Sequence, residues 1–500
     1  MYPIIGLKGT NGSFIGVYPE IFLMISVLFL IVFLVVLDYI FKYKFILSAL
    51  TGRLTLFIFS LTFLLLLNNF ELKTVIFDYL LISNYFINLI KCIVLISLSI
   101  CICVSFNYIK VEKIVQYEYF LLLILVLLGI FTIASANDLI TMYLAIELQS
   151  LSFYVLASIK IFSNFSTEAG LKYFILGAFS SGVLLFGSSL IYGFTGITNF
   201  YDLNLLFNNL PYIDESIYWG LILGIIFVST GILFKLGAAP FHMWLPDVYE
   251  GIPTIVTMVF AIVPKIAIFC LFLNLGINFF FVTLFTWKQL LIVSSILSVT
   301  IGTLGALYQV KLKRLLAYSA ISNIGFMLLG FSNLSIDGIF AMLFYIIVYM
   351  IISLNLFSII LILRKRINNL KFKKINELVL LFKSNTAVAV IFSLILFSIA
   401  GIPPLMGFYS KFYIFLSIIK DQNYWLAILI ASISVIASMY YIRLIKLMFF
   451  KVFNNWVFFF EIGKLESFII SITFFFNIYF FFYPSLFVLW VQNLTFSLFL

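Results

Sequence analysis

Apolar runs of about twenty residues recur along the whole chain, and short polar stretches separate them. A helix of that length crosses the hydrocarbon layer of a bilayer, which is about 30 Å thick. Strands of a membrane barrel would instead alternate in polarity over about ten residues, and these runs do not alternate. The pattern therefore predicts an all-α polytopic membrane protein.

The length and apolar continuity of the runs predict about fourteen transmembrane helices. The stretch 199–215 between two of these spans is predicted to be a polar connection. In chain order the spans cover residues 20–40, 54–70, 85–106, 119–134, 139–159, 169–194, 217–235, 254–275, 290–308, 315–331, 339–363, 386–416, 424–450 and 468–491.

Two of the spans are predicted to be broken. The seventh breaks after Lys235, and the twelfth is interrupted at the Gly-Ile-Pro-Pro sequence of residues 401–404. Broken helices at matching positions of two halves are typical of inverted-repeat transporters, and an odd offset between the copies reverses their direction. We therefore predict two inverted five-helix repeats. The predicted organisation is three leading spans, a first repeat, an inverted second repeat and a final span, in residues 1–118, 119–277, 290–450 and 451–500.

Charge is scarce and unevenly distributed. Of 500 residues, 64% are hydrophobic and 10% are charged, and 29 Lys and Arg against 19 Asp and Glu give a net charge of +10. The basic residues concentrate in loops after odd-numbered spans, so the positive-inside rule places those loops in the matrix or cytoplasm. In a membrane protein this positive balance does not indicate nucleic acid, and we expect no nucleic-acid partner.

The composition also bears on the compartment. The abundance of Phe (62 residues), Tyr (28 residues), Ile, Asn and Lys is typical of an AT-rich genome. We therefore expect a mitochondrially encoded, multi-pass protein of the mitochondrial inner membrane, with a bacterial plasma membrane as the alternative.

Cysteine and histidine are too few and too dispersed for a metal site. The single histidine, His242, has no ligand partner at metal spacing, and no two cysteines form a CxxC pair. We expect no metal, no iron–sulfur cluster and no disulfide in this chain. The cysteines are expected to be small buried thiols, at positions 92, 101, 103 and 270.

Three charges lie deep within predicted spans. Glu147 is well inside the fifth span, and Lys235 and Lys265 lie on either side of the broken stretch between the seventh and eighth. A charge at the centre of a lipid-spanning helix costs on the order of 2.5–3.5 kcal/mol, so each is a candidate functional residue. Burial lowers the pKa of an amine, and a nearby carboxylate opposes that change, so such a set could exchange protons near neutral pH. The alternatives are a fixed ion pair for Glu147 and, for either lysine, an amine that reaches a lipid headgroup.

Three more residues are candidates for the same pathway. Lys411 lies about half a helix beyond the break in the twelfth span, and we expect it to be buried. Lys172, near the start of the sixth span, is either part of the pathway or an interfacial anchor. His242 is either a proton relay between Lys235 and Lys265 or a loop residue bonded to backbone.

At these residues the chain resembles a known family. The sequence FKLGAAPFHMWLPDVYEGIPTIVTMVFAIVPKIAIF, residues 234–269, is similar to the antiporter-like membrane subunits of respiratory complex I and to Mrp-type cation/proton antiporters. The segments 19–23, 171–187 and 401–415 resemble the subunit 2, or N-type, branch. That branch has a lysine at the position of Lys411, where the subunit 4 type has a glutamate.

The resemblance implies a function for these residues. It implies proton translocation driven by quinone reduction elsewhere in the complex, with Glu147 and Lys235 as a coupling pair, Lys265 as a central relay and Lys411 as the exit-side lysine. Many relatives carry a histidine where this chain has Asn323. An amide does not titrate, so we expect water to bridge at Asn323 if that position belongs to the relay.

The resemblance also implies partners and cofactors. The chain would be a subunit of the proton-translocating NADH:ubiquinone reductase, with NADH, FMN, iron–sulfur clusters and ubiquinone in partner chains and no cofactor of its own. Its expected partners are the neighbouring small membrane subunits, the subunit 4 type subunit and membrane lipids, with bound phospholipid such as cardiolipin. The alternatives are a stand-alone or Mrp-type cation/proton antiporter, and a structural membrane subunit that passes force between its neighbours.

Overall fold

A computed structural model describes most of the chain and confirms the all-helical prediction. Within the described residues, 12 helices are long and apolar enough to cross a membrane. The described ranges are 15–40, 44–70, 73–112, 116–208, 215–278, 284–332, 334–364, 372–379, 381–451 and 462–499.

Three long helices and a small hairpin form the N-terminal part. A short 3-10 turn precedes the first helix, and the three helices are α1 (Tyr18–Ile40), α2 (Lys44–Asn68) and α3 (Tyr85–Glu112). Between α2 and α3 the chain forms two antiparallel strands, β1 (Thr74–Ile76) and β2 (Leu81–Ser83). Strands of three residues are too short to leave an alternating pattern, which is why the sequence predicted only a polar stretch there.

The next part contains five of the predicted spans and two short helices. Asp138 begins α5 as its N-cap, because its carboxylate accepts a hydrogen bond from the backbone N–H of Ile140 at 2.7 Å. The connection predicted at 199–215 contains the short helix α7. In order the helices are α4 (Glu118–Ser135), α5 (Leu139–Ala157), α6 (Asn164–Thr195), α7 (Phe200–Asn208), α8 (Glu215–Leu236), α9 (Trp244–Gly251) and α10 (Thr254–Asn278).

The remaining helices complete the chain. The twelfth predicted span is two short helices, α15 and α16, on either side of the break. The helices are α11 (Leu284–Leu307), α12 (Leu312–Phe331), α13 (Ile336–Ile362), α14 (Leu381–Ser384), α15 (Thr386–Ala400), α16 (Met406–Lys420), α17 (Tyr424–Phe449), α18 (Lys464–Phe482) and α19 (Pro484–Phe499). A 3-10 turn at Ile375–Leu378 precedes α14.

The prediction of one continuous helix over residues 468–491 is wrong. The chain bends by 95° between α18 and α19. Tyr483 lies outside both helices, and Pro484 begins the second. A residue before proline is disfavoured in the helical region, and proline itself suits the first turn of a helix, so the helix ends before Pro484 and restarts there.

Both predicted breaks occur next to a glycine in the left-handed region. Gly237 has φ of +79° just after α8, and Gly401 has φ of +86° as the C-terminal cap of α15. The N–H of Gly401 donates to the carbonyls of Phe397 and Ser398. Glycine ends helices in this way because it has no Cβ to clash in that conformation.

Loops predicted to share a side of the membrane do meet in the structure. Glu112, at the end of α3, forms ion pairs with Lys160 after α5 and with Arg364 after α13. These loops follow the third, fifth and eleventh predicted spans. On the opposite side, Asp138 accepts a hydrogen bond from Thr198, and these residues follow the fourth and sixth spans. The positions of these loops are therefore consistent with the predicted sidedness, whereas the described residues contain 12 qualifying helices against the fourteen predicted.

The buried core lies around α10. In the most apolar stretch of each helix, the buried share of residues is 94% in α10, 89% in α12 and 78% in α13. The same share is only 28% in α17 and 33% in α1. The central helices therefore face protein on nearly all sides, and α1 and α17 present apolar faces outward. The candidate site is built on this central group and the helices next to it.

Candidate functional site

Glu147 lies in the middle of α5 with an incompletely satisfied carboxylate. Its Oε2 accepts a hydrogen bond from Ser150 Oγ at 3.2 Å. Its Oε1 is buried without a hydrogen-bond partner among the described residues. A buried carboxylate oxygen without a partner is costly, so this group gains from any cation that approaches it.

Lys235 reaches the same helix from the last turn of α8. Its Nζ lies 3.4 Å from the hydroxyl of Tyr154 and 5.8 Å from the centroid of that ring. Tyr154 follows Glu147 by seven positions, which places both on one face of α5. The described residues contain no ion pair between Glu147 and Lys235. The structure thus places the Lys235 amine against Tyr154, on the face of α5 that also carries Glu147.

A small cavity borders both Lys235 and Lys265. Gln149 and Ser150 of α5 and Tyr249 of α9 are among the polar residues that line it. It measures about 20 Å³, which is room for roughly one water molecule. The two lysines therefore border one space without touching each other.

Lys265 is buried at the centre of the molecule. It follows Pro264 within α10, and only 4% of its surface is exposed. Its Nζ lies 2.9 Å from the hydroxyl of Tyr349 on α13 and 4.7 Å from the centroid of that ring. A neutral hydroxyl thus holds this amine, with no carboxylate paired to it among the described residues.

A second cavity lies beside Tyr349. Tyr345, Asn323 and Ser410 also line it, whereas Lys411 does not, and it measures about 40 Å³, which is room for roughly two or three water molecules. Within it Tyr345 donates a hydrogen bond to Asn323 Oδ1 at 3.0 Å. Asn323 is therefore buried beside a space large enough for water.

Lys411 is held at the helix break between α15 and α16. Its Nζ donates to the carbonyl oxygen of Ala400, the last residue of α15, at 2.8 Å. The last carbonyls of a helix lack intrahelical partners and carry partial negative charge, so an amine is favoured there. A Cβ on Gly401 would lie 2.9 Å from Lys411 Cδ, so the glycine also leaves space for this side chain.

The two relay candidates outside the lysine series are placed differently. His242 is buried between α8 and α9 with Nδ1 unpaired, and no hydrogen bond or ion pair within the described ranges links it to Lys235 or Lys265. Lys172 is 45% exposed and forms ion pairs with Glu168 at 2.7 Å and Asp247 at 3.5 Å. The structure does not bring Lys172 to the buried lysines, and its exposure suits an interfacial anchor.

Sequence reasoning missed a buried ion pair and the tyrosines. Lys91 on α3 pairs with Glu20 on α1, and both side chains are at most 3% exposed. Lys91 lies inside the third predicted span. The principle that a charge within a span is a candidate functional residue, which identified Lys265, therefore applies to Lys91 as well. Tyr154, Tyr345 and Tyr349 carry no such signal, because an uncharged tyrosine in an apolar run is ordinary. In the part of the chain that the structure describes, no group of His, Cys, Asp and Glu could hold a metal.

Comparisons with known proteins place this site in a family. The family described as "NADH:quinone oxidoreductase/Mrp antiporter, TM" matches residues 136–438, which include Glu147, Lys235, Lys265 and Lys411. NADH-ubiquinone oxidoreductase chain 2 of Marchantia polymorpha is 43% identical over 477 residues, 95% of this chain and 96% of the relative. NADH-quinone oxidoreductase subunit N 1 of Rhizobium meliloti is 40% identical over 370 residues, 74% of this chain and 76% of the relative.

A solved structure shares the fold. A chain of respiratory complex I from Thermus thermophilus, determined with bound aureothin, matches with a TM-score of 0.76 at 24% identity. The match covers 94% of this chain and 98% of that chain. The likeness in fold therefore extends over nearly the whole chain.

Proposed function

Since the chain belongs to the family of membrane subunits that includes NADH-ubiquinone oxidoreductase chain 2 and NADH-quinone oxidoreductase subunit N, we propose that it is a proton-translocating subunit of respiratory complex I. The observation that carries this proposal is the buried series of amines, hydroxyls and water-sized cavities from Lys235 through Lys265 to Lys411. NADH oxidation and quinone reduction take place in partner chains.

The proposed mechanism begins at Glu147. A change in a neighbouring subunit moves the Glu147 carboxylate toward or away from Lys235, and a closer carboxylate favours the charged amine. When the carboxylate retreats, Lys235 gives its proton to water in the first cavity and thence to Lys265. From Lys265 the proton crosses the second cavity to Lys411 and leaves the membrane.

The proposed organisation is two inverted repeats. Residues 119–277 form the first and 290–450 the second, with 1–118 before them and 451–500 after them. Two resemblances support it: α8 and α15 both end next to a glycine in the left-handed region, and a lysine of the series lies at each break. Backbone carbonyls freed at a helix break cannot be hydrogen-bonded by lipid, so such breaks must face protein or a water-filled cavity. A lysine beside that break is suited to passing a proton.

The proposed surroundings follow from the family and the exposed faces. NADH, FMN, iron–sulfur clusters and ubiquinone would bind partner chains, and the small membrane subunits and the subunit 4 type would adjoin this one. The apolar outer faces of α1 and α17 suit such neighbours or phospholipid such as cardiolipin. The mitochondrial inner membrane is the proposed location, supported by the AT-rich composition and the 43% identity to a plant chain 2; a bacterial plasma membrane is the alternative.

The test is Lys265→Met in the assembled complex, reconstituted into liposomes, with proton uptake measured against quinone reduction. We expect pumping coupled to quinone reduction to be abolished, because methionine fills the space of lysine but cannot carry a proton. The matched control is Lys420→Met, since Lys420 is 61% exposed and pairs with Asp337 away from the buried series. Normal pumping stoichiometry in Lys265→Met would refute the proposal and favour a structural subunit.

A further inference from the structure

The two cavities of the site are separate, and among the described residues one hydrogen bond joins their walls. Lys265 borders the cavity shared with Lys235, and Tyr349 borders the second cavity, which Ser410 next to Lys411 also lines. No residue lines both cavities. The bond between Lys265 Nζ and the Tyr349 hydroxyl, at 2.9 Å, is therefore the contact through which a proton would pass from one cavity to the other.

Tyr349 has the chemistry for that passage. A tyrosine hydroxyl donates one hydrogen bond and accepts others at the same oxygen. It can accept from the Lys265 amine on one side and donate to water in the second cavity on the other. Within the described residues Lys265 makes no other side-chain hydrogen bond.

The neighbouring tyrosine is unsuited to the same task. Tyr345 lies four positions before Tyr349, on the same face of α13, and it also lines the second cavity. Its hydroxyl donates to Asn323 Oδ1. An amide oxygen accepts a hydrogen bond but does not take up the proton near neutral pH. The Tyr345–Asn323 pair is thus a fixed part of the cavity wall, and Tyr349 is the hydroxyl at the junction.

We propose that Tyr349 is a catalytic residue of proton transfer that carries the proton from Lys265 into the second cavity. This inference rests on the proposed function. In the step, an N–H bond of Lys265 breaks as an O–H bond to Tyr349 forms. The original O–H bond of Tyr349 breaks as its proton passes to a water in the second cavity. Lys265 becomes a neutral amine, Tyr349 ends neutral, and the charge moves on toward Lys411.

The experiment compares Tyr349→Phe with Tyr308→Phe in the assembled complex in liposomes. Tyr349→Phe keeps the ring beside Lys265 and removes only the hydroxyl. A positioned proton-transfer group typically contributes 10²–10⁴-fold, so we expect coupled proton transfer to slow by roughly a hundredfold. Tyr308→Phe changes a tyrosine that is 85% exposed and lines neither cavity, so this variant should stay within about twofold of the native rate. Equal rates in both variants would overturn the proposal.

Lys265→Met separates this inference from the proposed function. If Lys265→Met abolishes pumping and Tyr349→Phe pumps normally, only the role of Tyr349 is wrong. If both pump normally, the proposed function fails as well. Should Tyr349→Phe not assemble, Tyr349→His is compared with Tyr349→Leu: the imidazole can transfer a proton and the isobutyl group cannot. Pumping in the histidine variant alone supports the proposal, and equal pumping in both refutes it.

Discussion

The buried lysines of this protein differ in what holds each amine. Lys91 pairs with the carboxylate of Glu20. In contrast, a tyrosine hydroxyl holds Lys265 and a backbone carbonyl holds Lys411. An adjacent carboxylate stabilises the charged form of an amine, whereas a neutral partner leaves the amine free to lose its proton. The group that holds the amine therefore distinguishes the structural lysine, Lys91, from the lysines that suit proton transfer.

This distinction predicts that Lys91 and Glu20 contribute to stability rather than to pumping. Lys91→Met leaves Glu20 buried without a cation, which costs about 3–5 kcal/mol. Combining Lys91→Met with Glu20→Leu removes both charges, and we expect most of the loss to be recovered. The measurement is thermal denaturation of the solubilised complex, together with protons pumped per quinone reduced. A Lys91→Met complex of normal stability that fails to pump would instead place Lys91 in the proton path.

At this scale the sequence allowed part of the site to be predicted. Glu147, Lys235, Lys265 and Lys411 were identified because a charge in an apolar run is conspicuous. Which of them adjoin could not be inferred from the residues alone, since contacts such as Lys265–Tyr349 join positions 84 apart in the chain. Glu20 escaped notice for a different reason: it lies at the edge of its predicted span, where a carboxylate is ordinary.

At the scale of elements, glycine and proline made the breaks predictable. The residues that end α8 and α15 carry their own signal, because glycine after a helix favours the left-handed cap. Other features left too little pattern. The eight-residue helix α9 and the three-residue strands are shorter than the windows over which periodicity can be recognised. The bend at Pro484 interrupts an otherwise continuous apolar run, so length alone suggested one helix.

The break at Gly401 gives a prediction with a matched control. Gly401→Ala would place a side chain at φ of +86° and bring its Cβ to 2.9 Å from Lys411 Cδ. The left-handed conformation costs about 1–2 kcal/mol, and the contact should displace Lys411 from the Ala400 carbonyl. We expect reduced stability and reduced pumping, measured by thermal denaturation and by proton uptake in liposomes.

The control for that prediction is Gly196→Ala. Gly196 caps α6 with φ of +68°, and a Cβ there would meet nothing within 4 Å. It carries a similar backbone strain without touching a lysine. Equal pumping losses in the two variants would show that strain alone matters and that the position of Lys411 does not.

At the scale of the whole molecule, close packing of the helices rather than surface charge holds them together. Asp247 and Glu250 on α9 form ion pairs with Arg314 on α12, but these side chains are 21–40% exposed. Exposed pairs contribute only about 0–1 kcal/mol each. Between the proposed repeats, α10 packs against α13 and α9 packs against α12. Outer helices such as α1 and α17 leave apolar faces for lipid or for other subunits.

The last prediction concerns the assembly in which the chain resides. On a native gel of the source membranes we expect peptides of this chain in a large band that stains for NADH oxidation, because a pump of this kind depends on redox chemistry in partner chains. The Lys265→Met complex should still migrate in this band although it no longer pumps protons. This result would separate assembly from transport. A chain found in a smaller assembly without NADH oxidation, with sodium-dependent proton exchange in vesicles, would favour the Mrp-type antiporter. The same buried lysines would then serve cation exchange, and Glu147 would respond to the transported ion instead of to a neighbouring subunit.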